Sequence, residues 1–312
     1  MSSLAPIAAA MQTDQGQVRD HNEDFIARWE PVSAEEEAEH GWLYIVADGV
    51  GGADAGEVAS QFATERTLAQ YLAHNETKNL GERLVNAMHG ANTDLRHLVV
   101  ERNDNKRMAT TMVAVGIRDG IAYYGNVGDS RGYLWRQGEL QQVTKDQSLV
   151  AKLVEEGAIT EEEAAIHPHR NVILYSIGSE KSPQIDLFEV QLELGDKLFL
   201  CSDGLTRHVS DSEICELIGS EDLETAVPIL VDLANQRGGQ DNITVALINF
   251  GEFVAPEESV IDSIPEMTAV AAAENLASSN GASAKFLWPF TIFLAFIQTI
   301  LIIMVWLLFL RL

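Results

Sequence analysis

The chain has 312 residues with an ordinary apolar content, enough for one large domain or two small ones, so a sizeable core is available. A formal net charge of −26 excludes a nucleic-acid surface, which needs clustered Lys and Arg to displace counterions. Cys201 and Cys215 are the only cysteines, too few for a disulfide framework and without metal-site spacing, which points to a reducing compartment.

MSSLAPIAAAM lacks a positive n-region and a long apolar core, so no signal peptide is expected there. Residues 7–13 read as a first strand, and FIARW as a second that has Asp24 at its entrance. The acidic run from Ser33 to His40 reads as a solvated loop between strands. WLYIVADGVGGADAG, residues 42–56, is an apolar strand that stops on Asp48 and opens into glycines. An Asp-Gly pair is a strong hairpin signal, but no strand is expected after Asp48-Gly49. Gly56 leads instead into a helical pattern from Glu57 to about Leu72, followed by another from about Leu80 to Glu101. A strand-to-glycine-to-helix turn of this kind commonly places a functional group.

Asp119-Gly120 lies between two alternating apolar runs and predicts a plain hairpin, and Arg136-Gln137-Gly138 a further turn. Gly128-Asp129-Ser130 interrupts this region with another carboxylate. From Lys145 to Ser182 the sequence is polar, with two short helices and no core sheet, a candidate lid or flap. DKLFLCSDGL then repeats the opening design, ending a strand on Asp203, with helices expected from Asp211 and Leu223. Asp241 stands just before a strongly apolar last strand. Asp24, Asp48, Asp203 and Asp241 thus occupy four separate strand edges. Gathered at one rim, they would repel each other severely unless divalent cations lay between them.

Residues 252–285 shift to Ala, Ser, Glu and Pro and read as a flexible linker after a domain spanning residues 1–251. Residues 286–310 predict a transmembrane helix. About 24 consecutive positions carry no charge, against the roughly 20 that a span requires. Trp288 and Trp306 lie toward its two ends, as interfacial aromatics do. The expected location is the inner (cytoplasmic) membrane, single-pass, with the globular domain in the cytoplasm.

RDHNED (19–24), ADGVGG (47–52), GDSR (128–131), TKDQSLV (144–150), SDGLT (202–206) and GGQDNIT (238–244) resemble, in order and spacing, the motifs of the metal-dependent type 2C Ser/Thr protein phosphatases, bacterial branch. The resemblance covers roughly Ile7 to Phe250. It implies an α+β fold: a β-sandwich of two mainly antiparallel sheets flanked by helices, four layers in the order α-β-β-α, with a binuclear Mn²⁺ or Mg²⁺ site at one end. By the same resemblance Asp48 bridges both metals and the Gly49 carbonyl binds one, while Asp203 and Asp241 bind the other. Asp24, with Glu23 beside it, matches an acidic position that orients the waters of the ions. Arg19 matches the arginine that grips the substrate phosphate, and Asp129 a residue that helps bind a third, weaker metal. Two cations about 3.5 to 4 Å apart lower the pKa of a shared water from about 15.7 toward 7 and supply hydroxide for in-line attack on phosphorus.

The sequence also departs from the family pattern. Ala53 and Val50 stand where different branches carry a histidine, so the acid that protonates the leaving group is unassigned, with His21 a weak candidate. Arg207 stands where some members place a further acidic ligand. The implied function is hydrolysis of phosphoserine and phosphothreonine in proteins, opposing a cognate Ser/Thr kinase in a signalling pathway, by a catalytic domain expected to be monomeric. The alternative is a catalytically weak or inactive phosphoprotein-binding module of the same fold.

Overall fold

Two antiparallel sheets packed face to face organise the computed structural model, which describes residues 7–51, 55–73, 77, 79–102 and 108–251. The chain separates into units Met1–Ala255 and Pro256–Leu312, and every described residue belongs to the first. The linker expected at residues 252–285 and the transmembrane segment expected at residues 286–310 both lie outside the described residues.

In chain order the elements are β1 (Ile7–Asp14), β2 (Asp24–Trp29), α1 (Ala34–His40), β3 (Trp42–Val50), α2 (Ala55–Ala73), α3 (Leu80–Arg102), β4 (Ala109–Thr110), β5 (Met112–Arg118), β6 (Ile121–Val127), β7 (Arg131–Arg136), β8 (Glu139–Gln142), α4 (Leu149–Glu155), α5 (Glu161–Ala165), β9 (Asp186–Gln191), β10 (Asp196–Cys201), α6 (Asp203–Thr206), α7 (Asp211–Ser220), α8 (Leu223–Gln236) and β11 (Ile243–Phe250). One sheet has the order β1-β11-β10-β7-β8. The other runs β2-β3-β5-β6-β9, with β4 added beside β3.

The layering follows from strand periodicity. In β3, Leu43, Ile45 and Ala47 face a core shared with α2 and α3, while Trp42, Tyr44 and Val46 face the core between the sheets. Successive side chains of a strand point to opposite faces, so burial on both faces produces an unbroken apolar run rather than an alternating one. β11 does the same in the other sheet: Ile243, Val245 and Leu247 meet α7 and α8, and Ala246, Ile248 and Phe250 meet the opposite sheet. The result is helices, sheet, sheet, helices. The Asp119-Gly120 turn is the expected hairpin, joining β5 to β6 with φ of 54° and 70°, the positive values that a two-residue I′ turn needs.

Two readings of the sequence need correction, and two elements, β9 and α6, were not anticipated. The acidic run is helix α1, not a loop: Ser33 caps it by accepting the Glu36 N–H, and Glu35, Glu36 and Glu37 complement the positive end of the helix dipole. Strand β3 continues past Asp48, because Gly49 and Val50 pair with the short β4. Strand β9 closes one edge of its sheet; only every second residue of DLFEVQ is partly buried, and the polar segment before it hides that alternation. The helix expected from Asp211 is α7, and a further short helix, α6, starts at Asp203 itself.

Candidate active site

The starts of β2 and β11 and the ends of β3 and β10 meet at one rim of the sandwich. Asp24 and Asp48 are direct cross-strand partners in the β2–β3 register. Asp24 is buried, and its Oδ2 accepts hydrogen bonds from Ser202 Oγ at 2.8 Å and Thr244 Oγ1 at 2.6 Å. Because the Thr244 hydroxyl donates to Asp24, Thr13 must donate to Thr244 Oγ1, at 2.7 Å, and Asn22 in turn donates to Thr13. Asp24 thereby stitches the two sheets together at the rim.

Asp48 is held by its backbone. Its carbonyl accepts from the Thr111 N–H and the Thr110 hydroxyl, both at 2.8 Å, and its N–H donates to Thr111 Oγ1. Next to it, Gly49 donates its N–H to the Glu23 carbonyl. A Cβ at Gly49 would lie 2.3 Å from the Gly56 carbonyl oxygen and 2.5 Å from that of Glu23, so only glycine lets α2 and the Glu23 loop close on Asp48.

Asp203 and Asp241 are joined by arginines. Arg207 donates through Nη1 to Asp241 Oδ2 at 3.0 Å and through Nη2 to Asp203 Oδ2. Arg19 Nη2 reaches Asp241 from the other side, at 2.8 Å to Oδ1 and 2.9 Å to Oδ2. Asp129, in the turn between β6 and β7, completes the group: it is buried and close enough for the charges of Asp203 and Arg207 to act on it.

The electrostatics are those of crowded carboxylates. Burial pushes Asp24 up to about 7 despite its two hydroxyl donors, with Asp203 and Asp241 adding repulsion. Burial, then Asp203 and Asp146, push Asp129 up to about 8. Asp48 is driven well above the usual carboxylate range by burial and then by Asp24, Asp203, Asp129 and Asp241. Asp203 is also raised by burial, Arg207 opposing the shift, and burial raises Glu23. One oxygen each of Asp24, Asp129 and Asp203 is buried without a hydrogen-bond partner. Such atoms cost free energy unless something fills the need, and several anionic oxygens are the donor set that hard divalent cations take. Among the described residues no three acidic, histidine or cysteine side chains stand ready around one point. Arg207 instead takes one oxygen of Asp203, and Arg207 and Arg19 together take those of Asp241.

The structure thus gathers Arg19, Glu23, Asp24, Asp48, Gly49, Asp129, Asp203 and Asp241 around one rim. Sequence reasoning missed Asn242. Its amide donates to the Gln15 carbonyl at 2.8 Å and the His21 carbonyl at 2.9 Å, and its Oδ1 accepts the Glu23 N–H at 2.8 Å. One side chain therefore fixes the loop that carries Arg19 and Glu23. Its position inside GGQDNIT was the available signal. Gln147 does a similar job at the flap, accepting the Gly128 N–H and donating to Asp186. Arg131 forks onto Asp146 and ties GDSR to TKDQSLV.

A two-sheet sandwich with carboxylates massed at one rim and an arginine beside them defines a class, the hydrolases that work through hard divalent cations. The family profile described as protein phosphatase 2C matches residues 17–243, and the chain belongs to that family. Protein phosphatase PhpP of Streptococcus pneumoniae is 37% identical over 246 residues, 78% of this chain and 97% of that protein. Serine/threonine phosphatase stp of Listeria monocytogenes is 36% identical over 247 residues, 77% of this chain and 94% of that one. Among solved structures, Ser/Thr phosphatase Stp1 of Staphylococcus aureus superposes with a TM-score of 0.72 at 35% identity, covering 80% of this chain and 97% of that one. The catalytic domain of PstP, crystallised with two manganese ions, gives 0.66 at 34% identity, covering 78% and 97%.

Proposed function

We propose that this protein hydrolyses phosphoserine and phosphothreonine on other proteins, using two Mn²⁺ or Mg²⁺ ions. The observation that carries the reading is the meeting of Asp24, Asp48, Asp203 and Asp241 at one rim with unpartnered oxygens and Arg19 alongside. The substrate class is supported by relatives named as Ser/Thr phosphatases, and the ion count by the PstP domain crystallised with two manganese ions.

In this reading Asp48, the Gly49 carbonyl, Asp203 and Asp241 would hold the two ions. Asp129 lies toward a third, weaker position. Bound there, the ions supply a strongly acidified water and screen the charge of the phosphate. The residues of the chain orient the reactants. The Arg19 side chain is about half exposed, at 47%, and touches Asp241 through one nitrogen, so the rest of its planar fork is open to a phosphate. Asp24 keeps one oxygen in reserve behind Asp48 as an acceptor for the attacking water, and Glu23 lines the approach. Phosphate release from a phosphothreonine peptide tests this. Activity should require Mn²⁺ or Mg²⁺, vanish in excess chelator, and fall by about two orders of magnitude or more in Asp203→Asn, because the site loses both a charge and a ligand. Full activity in chelator would end the reading.

The catalytic domain acts as a monomer in the cytoplasm against substrates phosphorylated by a cognate Ser/Thr kinase, and residues 286–310 anchor it to the inner membrane in a single pass. The anchor is supported by an uncharged apolar run of about spanning length bounded by Trp288 and Trp306. Protease added to inverted vesicles should remove the catalytic domain; its survival would place it on the other side.

A further inference from the structure

We propose that Arg207 is a resident counter-cation of the site, competing with divalent ions for Asp203 and Asp241 and thereby setting how tightly the protein takes up metal. The inference rests on the two-ion reading above.

Arg207 extends from the C-terminal end of α6 and forks across two carboxylates from different elements, Asp203 at the start of its own helix and Asp241 just before β11. Its charge also acts on Asp129 and Asp48, so four acidic groups share one guanidinium. That side chain is 28% exposed, whereas the acids it bridges are 15% exposed each, so the cation is the more solvent-open partner. Arg19 is the other cation in contact, but it reaches Asp241 alone and is more exposed.

Two like charges held close cannot both stay ionised cheaply without a cation between them. Arg207 supplies that cation when no metal is bound, and it does so by donating to Asp203 Oδ2 and Asp241 Oδ2. An ion binding through those oxygens must take them from the guanidinium. Removing the charge therefore acts twice in one direction: it frees two oxygens, and it restores a repulsion that only a divalent ion relieves.

Calorimetric titration of the full chain with Mn²⁺ tests this, for wild type, Arg207→Gln and Arg207→Lys, alongside the melting temperature in chelator and in Mn²⁺. Arg207→Gln should bind Mn²⁺ about tenfold more tightly or better, a modest effect for one charge in contact with the ligands. Its melting temperature should drop in chelator and recover in Mn²⁺, a wider gap than in wild type. Arg207→Lys keeps the charge and should stay near wild type, and if Arg207→Gln does not fold, a gain of about tenfold in Mn²⁺ affinity in Arg207→Lys overturns the proposal. Mn²⁺ affinity unchanged or weaker in Arg207→Gln, or raised in Arg207→Lys as much as in Arg207→Gln, overturns the proposal. Wild type that binds no Mn²⁺ would instead defeat the two-ion reading itself.

Discussion

Asp24 and Asp48 face each other across adjacent strands, and Asp24 is fastened by Ser202 and Thr244 of the opposite sheet, so the acidic rim and the closure of the sandwich share the same atoms. Stability and site chemistry are therefore linked at this rim.

That link predicts a pH dependence. Asp24 is pushed up to about 7 and Asp129 to about 8, from an ordinary value of 3.8, by burial first and neighbouring acids second. A carboxyl whose pKa is raised on folding binds protons more tightly in the native state, so its contribution is complete below the unfolded value and is lost as pH rises through the folded one. The metal-free protein should therefore lose stability between about pH 4 and pH 8. Melting temperature measured in chelator at pH 5 and pH 8 checks the sign, and the increase on adding Mn²⁺ should be larger at pH 8.

Asn242→Ala removes three of the hydrogen bonds that hold the 15–23 loop. Leaving buried backbone groups without partners should cost about 2 to 4 kcal/mol. Because that loop carries Arg19, KM for a phosphopeptide should rise more than kcat falls. Denaturant unfolding and steady-state kinetics on the same variant read the two effects, and a fall confined to kcat would count against a positioning role.

Gly204→Ala should be worse than its size implies. A Cβ there would sit 1.9 Å from the Asn242 carbonyl oxygen, which is backbone and has little room to move. The strain of such overpacking is typically about 1 to 3 kcal/mol, and relief would move Asp203 away from Asp241. Thermal melting should register the strain, and a loss of Mn²⁺ affinity in titration would locate it at the site.

Much of this was legible in the sequence, for physical reasons that can be named. A strand buried on both faces writes itself as an apolar run, so β3, β10 and β11 and the aspartates at their ends stood out. Helices α2 and α3 showed through apolar spacing. Helix α1 did not, because it buries no side chain and is specified by a Ser33 cap and first-turn acids. Strand β9, buried on alternate residues only, was masked by the polar flap before it. Asn242 was missed because its role lies in backbone groups far away in sequence. The contact of Arg207 with Asp241 likewise spans 34 positions, and no local pattern encodes it.

The most direct test of the acidic rim as a metal cage is anomalous scattering from crystals of residues 1–251 grown with Mn²⁺. The account predicts two manganese peaks flanking the Asp48 carboxylate, one of them also contacting Asp203 and Asp241. Manganese absent from that rim, or bound elsewhere while the protein still hydrolyses phosphopeptide, would contradict it.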